Sequence, residues 1–406
     1  MREILFLAHR IPFPPDRGDK IRSWHLLKRL GETARVHLAT FADDEADAAH
    51  LPALGEAMGG SLGEAHVEIR RTGKAAAGAK ALLSGRPVSL TAFDSPTLRA
   101  FVDRIAAARD LGAVFAFSGQ MAQFVPQGPR FVMDFVDMDS AKFESYAGGG
   151  PLPLRWLMRR EAEKLFAFER AVAARANVSL FVSEAEAALF RTRTGLPNVR
   201  ALSNGIDVDF FDPAADFPRL SAEERGEGPL LLFTGQMDYR PNVEAVCAFA
   251  RDVMPHLPGV RFAVAGRKPT AEVLALRETG TIVTGEVADI RSWLAAADII
   301  VAPLGIARGI QNKVLEAMAM AKPVVASPAA FEGIEAEPGR DLVLASPAEQ
   351  AAAIRHLLAR PAKAREIALA ARRRMEEAYR WEARLANLET IVFGEEPARA
   401  ERKVAA

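Results

Sequence analysis

A chain of 406 residues exceeds one ordinary core, so two domains are expected. Half of it is apolar, and Lys plus Arg (52) equals Asp plus Glu (52), so no global charge excess is available for gripping nucleic acid. No apolar run approaches the roughly 20 residues of a membrane span, the stretch Met1–Arg10 is charged too early for a signal peptide, and a lone Cys247 excludes an intrachain disulfide. A cytoplasmic protein is expected, or one that touches a membrane only at its surface.

Ile4 to Ala8 reads as a first buried strand. The loop from His9 to Arg22 follows, stiffened by prolines, with Gly18 permitting close backbone approach and Asp19 able to cap a helix that buries Trp24, Leu27 and Leu30. A glycine loop between strand and helix is a phosphate-site geometry, although G-x-G-x-x-G is missing, so an ordinary connection stays open. Arg17, Lys20 and Arg22 favour the anion-binding alternative. Val36–Phe41, Ala65–Ile69, Val114–Phe117, Phe131–Phe135 and Val178–Val182 read as strands alternating with helices, which predicts a doubly wound parallel sheet. Asp134, Asp137 and Asp139 at one strand's end can be read as a divalent-cation site, or as hydrogen-bonding groups with Asp139 capping a helix.

Basic residues also gather without acids. Arg70, Arg71, Lys74, Lys80 and Arg86 follow Glu68, and Trp156 and Leu157 lie among Arg155, Arg159 and Arg160 at the start of a long helix. Such segments either lie on anionic lipid headgroups or form a solvated helix face. Asp212-Pro213 to Gly228-Pro229 is linker-like, which places a first domain at 1–212 and a second at 213–378. In the second, strands run from Leu230 into Gly235 and from Phe262 into Gly266, and Thr284-Gly285-Glu286-Val287 follows. Three glycine-ended strands on one parallel sheet predict a shared ligand edge. Cys247, between Val246 and Ala248, is expected to be a buried small hydrophobe. Residues 379–393 read as a last helix, and 394–406 as a disordered tail.

The most informative stretch is Arg308 to Ala326. A strand over Asp298–Pro303 ends in a tight turn at Gly309, and a helix then runs to about Met320 before Lys322-Pro323 breaks it. Val314, Ala317, Met318 and Ala321 fall on one buried stripe, whereas Glu316 shares another face with Asn312 and Lys313. A helix N-terminus at the carboxyl edge of a parallel sheet is a phosphate site. Glu316, further along, is then placed to accept hydrogen bonds from ribose hydroxyls.

Glu316-Ala317-Met318-Ala319, followed after three residues by Pro323-Val324-Val325-Ala326, resembles the signature of the retaining family-4 glycosyltransferases. Phe13-Pro14-Pro15-Asp16-Arg17-Gly18 and Arg308-Gly309-Ile310-Gln311-Asn312-Lys313 are similar to a bacterial subgroup, the sugar transferases associated with exosortase/PEP-CTERM exopolysaccharide loci. The resemblance implies an α/β fold of GT-B architecture: two Rossmann-like, doubly wound domains facing a cleft, with the last helix returning to the first domain, where Trp381, Leu385 and Leu388 could anchor it. It implies transfer of a sugar from a nucleotide diphosphate sugar to an acceptor hydroxyl with retention, without metal or other cofactor. The acceptor would be a glycan or a lipid-linked glycan, with peripheral contact at the inner face of the cytoplasmic membrane.

The same resemblance assigns residues. Arg240, Lys313 and Arg308 are the candidate catalytic groups, stabilising charge on the departing pyrophosphate. Arg308 stands where the family carries the first of two glutamates, and is expected to bind a sugar carboxylate or phosphate oxygen; Glu316 matches the second. Gly18, Gly235, Gly266, Gly309, Ile310 and Asn312 would border the donor, and Gly285 and Val287 the base. Arg17, Asp137 and Asp139 fall on the acceptor side. Two alternatives remain: a hydrolysing nucleotide-sugar epimerase, for which His9 and His25 are the available acid–base groups, and a catalytically silent nucleotide-binding partner in a polysaccharide assembly.

Overall fold

The structure, a computed structural model, describes residues 2–148, 151–307 and 309–394. It divides into two compact units, one comprising residues up to Ser203 together with the chain from Leu385, the other spanning Asn204–Arg384.

The first unit holds β1 (Arg2–Ala8), β2 (Ala34–Ala42), β3 (Leu62–Ile69), β4 (Leu111–Phe117), β5 (Phe131–Val136), β6 (Val178–Phe181) and β7 (Val199–Ala201). They form one parallel sheet in the order β3-β2-β1-β4-β5-β6-β7. Ile4 to Ala8 and Ala113 to Phe117 are almost wholly buried, as expected of central parallel strands covered by helices on both faces. Phe6 on β1 stacks on its β4 neighbour Phe115 at 5.2 Å, and Phe135, Phe181 and Phe190 fill the space further along the sheet. The chain adds β2 and β3 on one side of β1 and β4 to β7 on the other, so the topological switch lies between β1 and β4.

The second unit repeats the plan. β8 (Leu230–Thr234), β9 (Arg261–Ala265), β10 (Ile282–Gly285), β11 (Ile299–Ala302), β12 (Val324–Ala326) and β13 (Val343–Leu344) lie in the order β10-β9-β8-β11-β12-β13, all parallel. Here the switch lies between β8 and β11.

The division falls earlier than the change in composition at 212. Ile206 donates its amide to Tyr379 O at 2.7 Å, and Arg372 donates to the carbonyls of Val208 (2.8 Å) and Phe211 (2.9 Å), so 204–212 belongs to the second unit. In place of one helix over 379–393, the chain forms Trp381–Arg384 and Leu388–Phe393. Trp381 packs on Gly205 in the second unit, where an added Cβ would meet its Cα at 2.8 Å. Leu385 and Leu388 are buried in the first, and Arg130 donates to Val392 O at 3.0 Å. Of the tail expected to be disordered, residues 395–406 lie outside the described residues.

Two local readings are corrected. The helix Gly18–Gly31 is preceded by Arg17 at the N-cap with no side-chain cap, so Asp19 is a first-turn residue and not the cap. Cys247 is only partly buried, but its thiol is pushed up to about 11 by burial and the nearby Glu272 carboxylate, so it stays unreactive at neutral pH.

Candidate functional site

The carboxyl edge of the second sheet is built from glycines. Gly235, just past β8, and Gly266, just past β9, both have φ near +151°, a conformation that side chains rarely adopt. Their backbones touch: a Cβ on Gly266 would lie 1.7 Å from Gly235 O. Gly235 N–H donates to Ala265 O at 3.0 Å, and Gly266 N–H donates to Gly285 O at 3.0 Å, which ties the ends of β8, β9 and β10 into one rim. Val287 lies part-buried in the loop beyond Gly285.

Against this rim stands the helix Asn312–Ala319. Gly309 takes the left-handed conformation (φ +63°) in the preceding turn, and Ile310 is buried. Gln311 occupies the N-cap without a side-chain cap bond; Val314 N–H donates to Gln311 O at 2.9 Å, which leaves the amides of Asn312 and Lys313 as the ones without an intrahelical acceptor. The buried face holds Val314, Leu315, Ala317, Met318 and Ala319, a broader stripe than the one read from sequence. Ala321 falls past the helix end with φ +50° and is part-exposed.

Lys313 reaches from the first turn to the end of β8. Its Nζ donates to Asn242 Oδ1 at 2.6 Å and lies 4.0 Å from the centroid of the Phe233 ring. Asn242 in turn donates from Nδ2 to Gln236 O at 2.9 Å. A Cβ on Gly235 would lie 2.8 Å from that Nδ2 and 3.0 Å from Lys313 Nζ, so the absence of a side chain at 235 makes room for both. Asn312 accepts from Asn204 Nδ2 at 3.2 Å, which fixes the other side of the helix start.

Burial pulls the Lys313 ammonium down to about 7, against the pull of the Glu316 carboxylate. Burial raises Glu316 to about 7, against the pull of Lys313. Each is only partly open to solvent, and the Glu316 carboxylate accepts no hydrogen bond among the described residues. A half-desolvated cation and an unengaged acceptor thus share one face of a helix start, as an anion carrying hydroxyl groups would require.

Arg240 opens the helix Arg240–Asp252, exposed, with Nε donating to Glu244 Oε1 at 2.7 Å. Arg308 lies outside the described residues. Asn242 and Phe233 were missed as site residues by sequence reasoning. Of the two, only Asn242, soon after a glycine-ended strand, carried a signal.

In the first unit the basic residues near Gly18 are spoken for. Arg17 donates to Asp19 Oδ1 at 3.0 Å and Asp43 Oδ2 at 3.2 Å, Lys20 is buried on Asp47 at 2.5 Å, and Arg22 is buried on Asp134 at 2.9 Å. The expectation of a free anion-binding cluster over Arg17, Lys20 and Arg22 is therefore corrected: internal carboxylates already hold these cations. His9, at the end of β1, lies 3.2 Å from Asp19 Oδ2 through Nε2, while its buried Nδ1 has no partner.

At the end of β5, Val136 sits at φ +69°, strained for a β-branched residue. Asp137 follows, raised to about 7 by burial and by Glu186 and Asp139, with a buried Oδ1 lacking a hydrogen bond. Asp139 is also raised by burial and lies in the first turn of the helix Asp139–Tyr146, with Met138 at the N-cap, so it does not cap as expected. Ser140 instead donates its amide to Glu169 at 3.0 Å, and burial lifts Glu169 to about 8. Among the described residues no group of three or more His, Cys, Asp or Glu is arranged to hold a metal ion.

Residues 228–360 match the model of the family described as Glycosyl transferases group 1, a span that contains the glycine rim and the helix with Lys313 and Glu316. Solved structures match almost end to end. Sucrose-phosphate synthase from Thermosynechococcus elongatus is 18% identical with a TM-score of 0.72, covering 96% of this chain and 98% of that one. The fold is that of the GT-B glycosyltransferases. Anabaena Alr3699/HepE, solved in complex with UDP and glucose, is 17% identical with a TM-score of 0.68, covering 96% of this chain and 98% of that one. WaaG, a glycosyltransferase involved in lipopolysaccharide biosynthesis, is 16% identical with a TM-score of 0.65, covering 97% and 100%. No curated protein sequence gives a significant match. This GT-B chain thus carries its family match on the unit with the glycine rim.

Proposed function

We propose that this protein is a retaining, metal-independent glycosyltransferase that moves a sugar from a nucleotide diphosphate sugar to a glycan or lipid-linked acceptor. The observation that carries the reading is the start of the helix Asn312–Ala319, where the amides of Asn312 and Lys313 and the Glu316 carboxylate share a helix with the Lys313 ammonium, which meets the glycine rim at the sheet's switch point. Diphosphate oxygens are matched by the amides and Lys313, and ribose hydroxyls by Glu316. Transfer releases a nucleoside diphosphate, so stabilising its charge is the main catalytic demand, and Lys313 with the helix N-terminus supplies it. Arg240, exposed and bonded to Glu244, would meet a phosphate by exchanging that carboxylate for it. UDP in Alr3699/HepE makes uridine nucleotides the first donors to try.

On the acceptor side, Asp137 and Asp139 carry carboxyl groups whose protonated forms can donate to, and whose ionised forms can accept from, sugar hydroxyls. The likeness of the Arg308–Lys313 and Phe13–Gly18 stretches to exosortase-associated sugar transferases supports a role in exopolysaccharide assembly at the cytoplasmic face of the membrane.

Calorimetry with UDP, GDP, ADP and their sugars, on wild type and Glu316→Ala, tests the donor site. Loss of a charge-assisted hydrogen bond should weaken the preferred nucleotide by roughly 1.5–3 kcal/mol. No binding by any nucleotide, or an unchanged affinity in the variant, overturns the reading. Stereochemistry is read by NMR of the product's anomeric proton, and inversion would remove the retaining assignment.

A further inference from the structure

Two charges of opposite sign stand beside the glycine rim of the second unit. Lys268 lies two residues past Gly266, and Glu286 one past Gly285. The bond from Gly266 N–H to Gly285 O at 3.0 Å sets both at the ends of neighbouring strands, β9 and β10. Both residues are exposed, and neither side chain makes a hydrogen bond or an ion pair among the described residues, not even with the other. Lys268 is also held in a costly backbone conformation, φ +56°. The other non-glycine residue of this unit at positive φ among the described residues is Ala321, which follows a helix end and lets Lys322 N–H close onto Ala317 O at 3.0 Å. No helix ends at Lys268. Its turn is clamped to the loop after β8 instead: Met237 N–H donates to Arg267 O at 2.9 Å, and Thr270 N–H to Met237 O at 3.3 Å. Glycine would relieve the strain, whereas lysine keeps an ammonium on the rim.

The length of a nucleotide decides what would lie there. Lys313 sets the diphosphate end beside β8. On one side of β8 stand β11 and the helix that follows it, so the rest of the nucleotide has to extend the other way, over β9 and β10. Neighbouring strands lie about 4.8 Å apart, which puts the end of β10 about 10 Å from that of β8. This is the reach from a diphosphate to the outer edge of its base. Gly266 and Gly285 raise no side chain beneath such a base, and Lys268 and Glu286 flank it.

We propose that Lys268 and Glu286 read the base of the donor nucleotide, and that this base is guanine. Guanine presents two acceptors, O6 and N7, beside two donors, N1–H and the 2-amino group. An ammonium suits the first pair and a carboxylate the second, through charge-assisted bonds. Uracil carries one ring N–H and no amino group, and adenine has no carbonyl oxygen, so neither offers a carboxylate two parallel donors. The inference rests on the donor reading above and narrows it to guanosine diphosphate sugars. UDP, which shares the ribose and the diphosphate, would bind through the same helix start but more weakly.

The test is calorimetric titration of the full chain with GDP, UDP, ADP and inosine diphosphate, which is GDP without the 2-amino group. GDP should bind at least about tenfold more tightly than UDP or ADP, and more tightly than inosine diphosphate. Glu286→Ala should weaken GDP roughly tenfold and close the gap between GDP and inosine diphosphate. Lys268→Met should weaken those two by the same factor, since both keep O6 and N7. Both positions are exposed, so melting temperatures should hold. Lys268→Gly, whose φ of +56° suits glycine, should melt no lower than wild type and still lose affinity for GDP. UDP or ADP bound as tightly as GDP by the wild type overturns the inference and leaves the donor reading standing. So does a gap between GDP and inosine diphosphate that survives Glu286→Ala, or a Lys268→Gly variant that melts lower while binding GDP unchanged. Binding of none of the four nucleotides removes the donor reading and this inference with it.

Discussion

Replacing Lys313 by Met should make the protein more stable and its donor site weaker. Burial moves the Lys313 ammonium from 10.5 down to about 7, which corresponds to roughly 5 kcal/mol against the charged form. The folded pKa lies below the unfolded one, so the unfolded chain keeps the proton between about 7 and 10.5 while the folded chain releases it. Stability contributed by this group therefore rises with pH across that window, and at pH 7 and below the wild type carries nearly the whole cost. Methionine keeps the stem over Phe233 and removes the charge. Against the gain stand the lost ring contact, about 0.5–2 kcal/mol, and an unpaired Asn242 Oδ1, about 1–3 kcal/mol. The net expectation is about 1–3 kcal/mol of added stability at pH 7, a rise of some 2–4 °C in Tm per kcal/mol, fading toward pH 10. UDP affinity should fall about 10–150-fold through loss of the charge-assisted contact. Thermal melts from pH 6 to 10 and calorimetry at pH 7 measure the two effects. A variant that melts lower than wild type at every pH, with UDP bound as before, refutes Lys313 as a cation held ready for an anion.

Glu316 is raised from 4.5 to about 7, so the wild-type fold holds an extra proton between those values and loses stability as pH rises through them. Glu316→Gln should abolish that slope, bind UDP like wild type near pH 6, and bind it roughly tenfold more weakly at pH 8; equal affinity at both values would detach Glu316 from ribose recognition. Gly266→Ala forces a Cβ to 1.7 Å from Gly235 O at φ +151°, so a loss of at least about 4 kcal/mol or of soluble protein is expected. A melting temperature close to wild type would contradict that contact. Asp134→Ala takes from the buried Arg22 guanidinium, 1% exposed, the carboxylate it holds at 2.9 Å, and urea unfolding should show a loss of about 3–5 kcal/mol.

The sequence made the strands of both sheets legible because each central strand is a short continuous apolar run between turn residues, as Ile4–Ala8 and Val324–Ala326 show. The side of the helix bearing Glu316 and Lys313 was legible for the same reason: helical phase separates it from Val314, Ala317 and Met318. What could not be read were the partners of charged groups. Arg22 and Asp134 are 112 positions apart, and Lys20 and Asp47 are 27 apart, so local pattern says nothing of either pairing. A basic cluster therefore looked open to ligand when its charges were already neutralised. β7, Val199-Arg200-Ala201, has a charged residue at its centre, so it offers no apolar run to mark it. The attachment of 204–212 to the second unit rests on backbone carbonyls accepting from Arg372, which composition does not register.

The two sheets share one winding rule but finish their carboxyl edges differently, and the difference separates their chemistry. In the second unit the strand ends are glycines at φ values side chains avoid, so the rim is bare backbone with one lysine beside it. Such an edge suits a ligand whose negative charge must be met closely from several directions. In the first unit the edge carries full-length charged side chains bound to one another, Arg10 to Asp19 at 2.7 Å and to Asp43 at 2.8 Å, beside carboxyl groups lifted toward neutrality at Asp137 and Glu169. A rim of compensated charges has little net pull on a diphosphate, whereas neutral carboxyl groups suit the hydroxyls of a sugar. The contrast between the two edges thus follows from which residues end the strands, since parallel sheets of the same topology would otherwise present the same edge.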